Sequence, residues 1–131
     1  MKRFLALLLL CATIFTLSSC GKYSSSYGAV GLVKRSDRDS CSVSFMSLSG
    51  TISFNIRLDG HEEGELEYEG KLEEGSLSVY YDIYGTKELL FSLKAGEKTE
   101  GSGGYIESGK RIHVIIEANG AKGGSVEVEA D

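Results

Sequence analysis

The sequence predicts an all-β protein, an antiparallel β-sandwich of about seven or eight strands with a jelly-roll-like or immunoglobulin-like layout. Two observations lead to this fold class. Apolar and polar residues alternate with a period of two through most of the chain beyond Gly31, which is typical of strands with one buried face. Glycine-rich turns separate the alternating segments about every 10 to 14 residues, and the helical period is absent.

Four strands are expected in the first half of this region, at residues 42–48, 50–58, 65–72 and 77–83. The clearest is 50–58, in which Ile52, Phe54, Ile56 and Leu58 share one face and polar side chains occupy the other. In 65–72 apolar positions alternate with charged ones, and 77–83 continues the alternation after a Glu-Gly turn. Each segment can therefore bury one face and leave the other in water.

Four further strands complete the prediction, at residues 89–93, 99–107 and 112–118 and around Val126 and Val128. The segment 99–107 is the weakest, because Gly101, Gly103 and Gly104 offer no side chains to pack. The segment 112–118 is strongly apolar on one face, and an Asn-Gly pair separates it from the last strand.

Residues 103–129 read GGYIESGKRIHVIIEANGAKGGSVEVE. This run resembles, in layout, the last three strands of small extracytoplasmic jelly rolls such as the Golgi-dynamics domain: a Gly-Tyr strand, a strong apolar strand and a closing Gly-x-Val-x-Val strand. The resemblance implies architecture only. The sequence has no Trp and no Cys pair of the immunoglobulin kind.

The N-terminus has the composition of a secretory signal. Lys2 and Arg3 precede an apolar run from Phe4 to Leu17, and two serines lead from that run to Cys20. A membrane-spanning anchor needs about 20 apolar residues, and this run is shorter. An ordinary secretory signal is the closer alternative, because small residues also suit its peptidase.

The tetrad Leu17-Ser18-Ser19-Cys20 resembles the lipobox of bacterial lipoproteins. The resemblance implies that Cys20 receives a diacylglyceryl group, that a dedicated peptidase cuts before it, and that at least two acyl chains, palmitate among them, anchor the chain. It also implies an extracytoplasmic location, lipid-anchored to a bacterial membrane at the outer membrane or cell surface. Gly21 stands where Asp would favour inner-membrane retention in enteric lipoproteins.

These observations divide the chain into three parts: a cleaved signal peptide (residues 1–19), a lipidated Cys20 with a flexible Ser- and Gly-rich tether (residues 20–38), and one β-sandwich domain (residues 39–131). The part from residue 20 to 58 holds five basic and two acidic residues, whereas residues 59–131 hold seven basic and 17 acidic ones. Because nucleic-acid binding needs a basic face, nucleic acid is not an expected partner. The membrane is an expected partner, and the chain would reach it through the lipid on Cys20.

The sharpest cluster of potential metal ligands is Asp59, Glu62 and Glu63 beside His61, followed by alternating glutamates. Crowded carboxylates around a glycine turn suit a hard cation such as Ca²⁺. Alternate glutamates on a strand also form an ordinary solvated face, which is the simpler interpretation. No cofactor is expected, and an envelope hydrolase that uses carboxylates near His61 is an alternative without a supporting catalytic motif.

Exposed tyrosines are the candidate binding residues. Tyr80 and Tyr84 share the outward side of one predicted strand, and Tyr23, Tyr27 and Tyr105 are further candidates. Each tyrosine ring can stack on a sugar or line a protein interface, or pack against the tether or a neighbouring strand. The sequence therefore predicts a non-enzymatic, lipid-anchored module that binds a protein or glycan at the cell envelope, with a calcium-stabilised structural module as a further alternative. Cys41, without a disulfide partner once Cys20 is lipidated, is expected in the core.

Overall fold

The computed structural model describes residues 23–58, 63–107 and 109–131, and every regular element in this part of the chain is a β-strand. The strands are β1 (Ser26–Val30), β2 (Val33–Ser36), β3 (Ser40–Arg57), β4 (Glu63–Asp82), β5 (Glu88–Lys94), β6 (Lys98–Glu107) and β7 (Arg111–Ala130). All pairings between them are antiparallel. A helix of the length and apolarity that crossing a bilayer requires is not found in the described ranges.

Three long strands form the centre of the sheet. β7 lies between β3 and β4, β1 and β2 flank β3, and β5 and β6 flank β4. The register shifts between Leu48 and Gly50 in β3 and between Glu74 and Ser76 in β4. These shifts lie at the same level of β7, so the sheet bends along one line that crosses all three strands.

Glycines permit this bend. Gly50 and Gly75 have φ angles of 114° and 82°, which L side chains rarely adopt. A Cβ atom on Gly75 would meet the carbonyl oxygen of Gly120 in β7, so the backbones of the two strands approach too closely for a side chain. The Glu-Gly and Asn-Gly pairs, expected as chain-reversing turns, therefore bend continuous strands instead.

The bend divides the sheet into two layers. The first layer contains β2, β6 and residues 40–48, 63–74 and 121–130, and the second contains β5 and residues 50–57, 76–82 and 111–118. Tyr68 of the first layer stacks on Phe91 of the second, with 4.7 Å between ring centroids. One folded sheet thus faces itself, and the predicted antiparallel β-sandwich is confirmed.

A single apolar core fills the space between the layers. Its fully buried members include Leu48, Ile52, Ile56, Leu66, Ile106, Ile112 and Ile116. Cys41 belongs to this core as expected, with 3% of its surface exposed. Burial, assisted by the nearby charge of Glu127, raises the pKa of its thiol to about 12, so the thiolate is disfavoured.

Residues 26–36, assigned on composition to a flexible tether, instead contain β1 and β2. Both strands hydrogen-bond to β3 through their backbones. Every residue of the two strands is exposed, so neither strand has a buried face. The tether prediction was wrong here, because a strand without a buried face leaves no alternation in the sequence.

Candidate binding surfaces

The N-terminal segment is attached to the outer face of the second layer. The Tyr23 hydroxyl donates a hydrogen bond of 2.7 Å to the Asp82 carboxylate, and the Tyr23 ring lies 5.3 Å from the His113 ring, at a tilt. The Ser53 backbone N–H donates to Ser25 Oγ at 2.9 Å. The residues that precede β1 thus cross β3, where Ser25 contacts Ser53, and reach β7 and β4, where Tyr23 contacts His113 and Asp82.

Asp82 is the buried charged residue at the centre of this attachment, with 6% of its surface exposed. Its second oxygen accepts a hydrogen bond of 2.7 Å from the Gly85 backbone N–H, which closes the turn after β4. The hydrogen bond to Asp82, burial and the Asp82 charge raise the pKa of Tyr23 to about 12. The Tyr23 hydroxyl therefore stays protonated as a donor at neutral pH.

The predicted ligand residues Tyr80 and Tyr84 differ in their surroundings. Tyr80 is half-buried, and Lys87 Nζ lies 4.3 Å from its ring centroid, so the ammonium occupies one face of the ring. The same ammonium lies 2.9 Å from Glu117 Oε1. Tyr84 is 59% exposed and is accessible to a partner. Ligand binding by this pair stays a prediction.

The other candidate tyrosines have charged neighbours of their own. Tyr105 is 57% exposed and its hydroxyl donates a 2.7 Å hydrogen bond to Glu63 Oε2, which raises the pKa of the Tyr105 hydroxyl. Tyr27 lies on β1 with Lys34 Nζ 5.1 Å from its ring centroid. Cations or carboxylates thus contact most of these tyrosines, and side-chain parity alone could not have shown these partners.

The outer face of the first layer is strongly acidic. Glu127, Glu69 and Glu100 are direct neighbours across β7, β4 and β6, and Glu129 is the direct neighbour of Glu67. Like charges placed directly opposite each other destabilise a sheet by several tenths of a kcal/mol or more per pair. Sequence alternation located these glutamates on outward faces but could not align them, because alignment depends on strand register.

Glu129 shows the effect of this crowding on protonation. Desolvation is the largest cause that raises its pKa, and the neighbouring negative charges, Asp39, Asp131, Glu67 and Glu127 among them, raise it further. Negative potential is therefore concentrated on this face, and a cation brought to it would relieve the repulsion.

Shallow open grooves cross the acidic face. One of about 530 Å³ is lined mainly by carboxylates, with Tyr68, Gly101 and Ser102 beside them. A second of about 450 Å³ lies next to it and is lined by Lys71, Lys98 and Glu100. The grooves are polar and open to solvent, as suits an extended partner lying across the strands.

The predicted metal ligands are only partly described. Asp59 and Glu62, with His61, lie outside the described residues, and so does Cys20. Glu63 begins β4, opposite Glu107 of β6. Within residues 23–58, 63–107 and 109–131 no group of three or more His, Cys, Asp or Glu side chains is arranged to hold a metal ion. The calcium site and the hydrolase near His61 stay predictions.

Comparison with known proteins gives structural neighbours only. No protein-family model matches the chain, and no curated protein matches it. A family 29 carbohydrate-binding module solved with mannohexaose is 9% identical at a TM-score of 0.40, over 82% of this chain and 90% of that one. The module TmCBM61, solved with β-1,4-galactotriose, is 14% identical at a TM-score of 0.41, over 87% of this chain and 73% of that one. The C-terminal family 6 carbohydrate-binding module of LamC from Zobellia galactanivorans is 10% identical at a TM-score of 0.41, over 81% of this chain and 99% of that one.

Proposed function

We propose that this chain is a lipid-anchored, non-enzymatic binding module of a bacterial cell envelope, located outside the cytoplasm. The position of Tyr23 is the observation that supports it most directly. Tyr23 is the third residue after Cys20, and it is attached to the second layer through Asp82 and His113. A lipid on Cys20 would therefore hold the sandwich itself beside the membrane.

The outer face of the first layer is the proposed binding surface. It lies on the side of the sandwich opposite Tyr23, because the two layers of a sandwich pack about 10 Å apart with their outer faces turned away from each other. Its grooves and its adjoining carboxylates favour a partner with basic groups, such as a lysine- or arginine-rich protein segment. A glycan is the alternative partner, and a neutral one would gain nothing from this charge.

The anchor is tested by labelling cells with radioactive palmitate. The intact chain should carry the label and fractionate with membranes, whereas Cys20→Ala should stay at precursor size without label. Cys41→Ala is the matched control and should keep the label, because Cys41 is a core residue. Equal labelling of Cys20→Ala would refute lipidation at this position.

The partner class is tested by titrating the purified protein with a lysine-rich peptide and, separately, with mannohexaose and β-1,4-galactotriose. We expect peptide binding that weakens with salt and weakens again in Glu69→Gln/Glu127→Gln. Glu74→Gln is the control, since Glu74 lies at the bend, where Lys122 Nζ is 3.9 Å from its carboxylate. Binding of a neutral sugar that the double variant leaves unchanged would contradict the charge-based assignment.

A further inference from the structure

Tyr23 limits how far the second layer can lie from a lipid on Cys20. Three residues span at most about 11 Å in any conformation, at roughly 3.6 Å per residue. Because Tyr23 contacts His113 of β7 and Asp82 of β4, this limit applies to the outer face of the second layer. The acidic outer face of the first layer lies on the far side of the sandwich.

A pair of arginines lies on the same face, two residues along the strands from His113, which Tyr23 contacts. Arg57 of β3 and Arg111 of β7 are direct neighbours across the sheet, and both are exposed. Within the described residues neither guanidinium forms an ion pair with a carboxylate. The Asp82 carboxylate on this face instead accepts hydrogen bonds from Tyr23 and Gly85.

This face also exposes apolar surface. Leu89 of β5 is 56% exposed, and its direct neighbour across the sheet is Tyr80 of β4. Tyrosine favours the boundary between water and lipid, because its ring is apolar and its hydroxyl is polar. Arginines that form no ion pair within the described part of the chain complement an anionic membrane surface, whereas the carboxylates of the opposite face would be repelled by it.

We propose that the outer face of the second layer lies against the membrane, where Arg57 and Arg111 contact anionic lipid headgroups. This contact rests on the proposed lipid anchor at Cys20, and it fixes the orientation of the module: the acidic first-layer face is turned away from the membrane. Each arginine close to an anionic surface favours the contacting orientation about fivefold, so the pair favours it about 25-fold.

The test uses the mature lipoprotein in phosphatidylcholine vesicles with and without phosphatidylglycerol. A fluorophore is placed on Asn55→Cys or on Ser44→Cys, both exposed positions of β3 on the outer faces of the second and first layers. Buried Cys41 does not compete for the label. With a quencher attached to lipid headgroups, we expect quenching at position 55 but not at position 44. The quenching at position 55 should increase when the vesicles contain phosphatidylglycerol.

Arg57→Gln/Arg111→Gln should reduce the quenching at position 55 in anionic vesicles while the protein remains bound. The matched control is Lys71→Gln/Lys98→Gln, another directly opposed basic pair, which lies on the first layer. Both variants remove like-charge repulsion, so both should fold. Equal quenching at positions 55 and 44, or no effect of the arginine variant, would overturn the contact alone. Protein released from the vesicles would overturn the anchor, and the contact with it.

Discussion

Replacing Tyr23 with phenylalanine should destabilise the N-terminal attachment while leaving the ring contact with His113 in place. The change removes the donor of a 2.7 Å hydrogen bond to Asp82, which is 6% exposed and keeps the bond from the Gly85 N–H. A hydrogen bond to a charged group contributes about 1.5–3 kcal/mol. The expected loss is therefore about 1.5–3 kcal/mol, or about 6–12 °C in Tm at roughly 4 °C per kcal/mol.

Urea unfolding at neutral pH measures this loss, and a double-mutant cycle assigns it. The cycle compares Tyr23→Phe, Asp82→Asn and the combined variant, and should give a coupling energy of about 1–2 kcal/mol. Tyr27→Phe is the matched control, because Tyr27 is 38% exposed and its hydroxyl donates no hydrogen bond within the described residues. A coupling energy below about 0.5 kcal/mol, or an equal loss in Tyr27→Phe, would refute the importance of the Tyr23–Asp82 bond.

Three further predictions concern ionisation, backbone conformation and thiol chemistry. Because the pKa of Tyr23 is raised from 10.0 to about 12, its stabilising contribution should be complete below about pH 10 and lost as the pH rises through about 12, as unfolding at stepped alkaline pH would show. Gly50→Ala, at φ 114° and against the Ser26 carbonyl, should cost more than about 2 kcal/mol, whereas Gly28→Ala, with open space at its Cβ, should cost under about 0.5 kcal/mol in the same urea assay. Cys41 should resist thiol reagents until urea unfolds the chain, and rapid labelling of the native protein would contradict its burial.

The fold class followed from the sequence because alternation records which face of a strand is buried. Ile52, Phe54 and Ile56 are buried in β3 in the expected phase, and Ile112 and Val114 are buried in β7 in the same way. Strand continuity did not follow. Gly50, Gly75 and Gly120 have positive φ angles that occur both in chain-reversing turns and in bends of a continuous strand, and the long-range partner strands decide between the two.

The candidate site was harder to predict because its contacts join distant parts of the sequence. Tyr23 and Asp82 are 59 residues apart, and nothing local to either residue indicates the other. The alignment of Glu69 with Glu127 likewise depends on the register of β4 against β7. By contrast, the lipid anchor was predicted from a local signal at Cys20, whose recognition needs no tertiary structure.

The central position of β7 has a consequence for the order of folding. β7 follows the other strands that the structure describes, and it supplies the hydrogen-bonding partner of both β3 and β4 along most of their lengths. Ser40 pairs with Glu129, so the sheet cannot close until the chain is available as far as Glu129. Pairings of such sequence separation form slowly, because a large loop-closure entropy must be overcome first. A nascent chain that lacks β7 should therefore stay unfolded until β7 has been made.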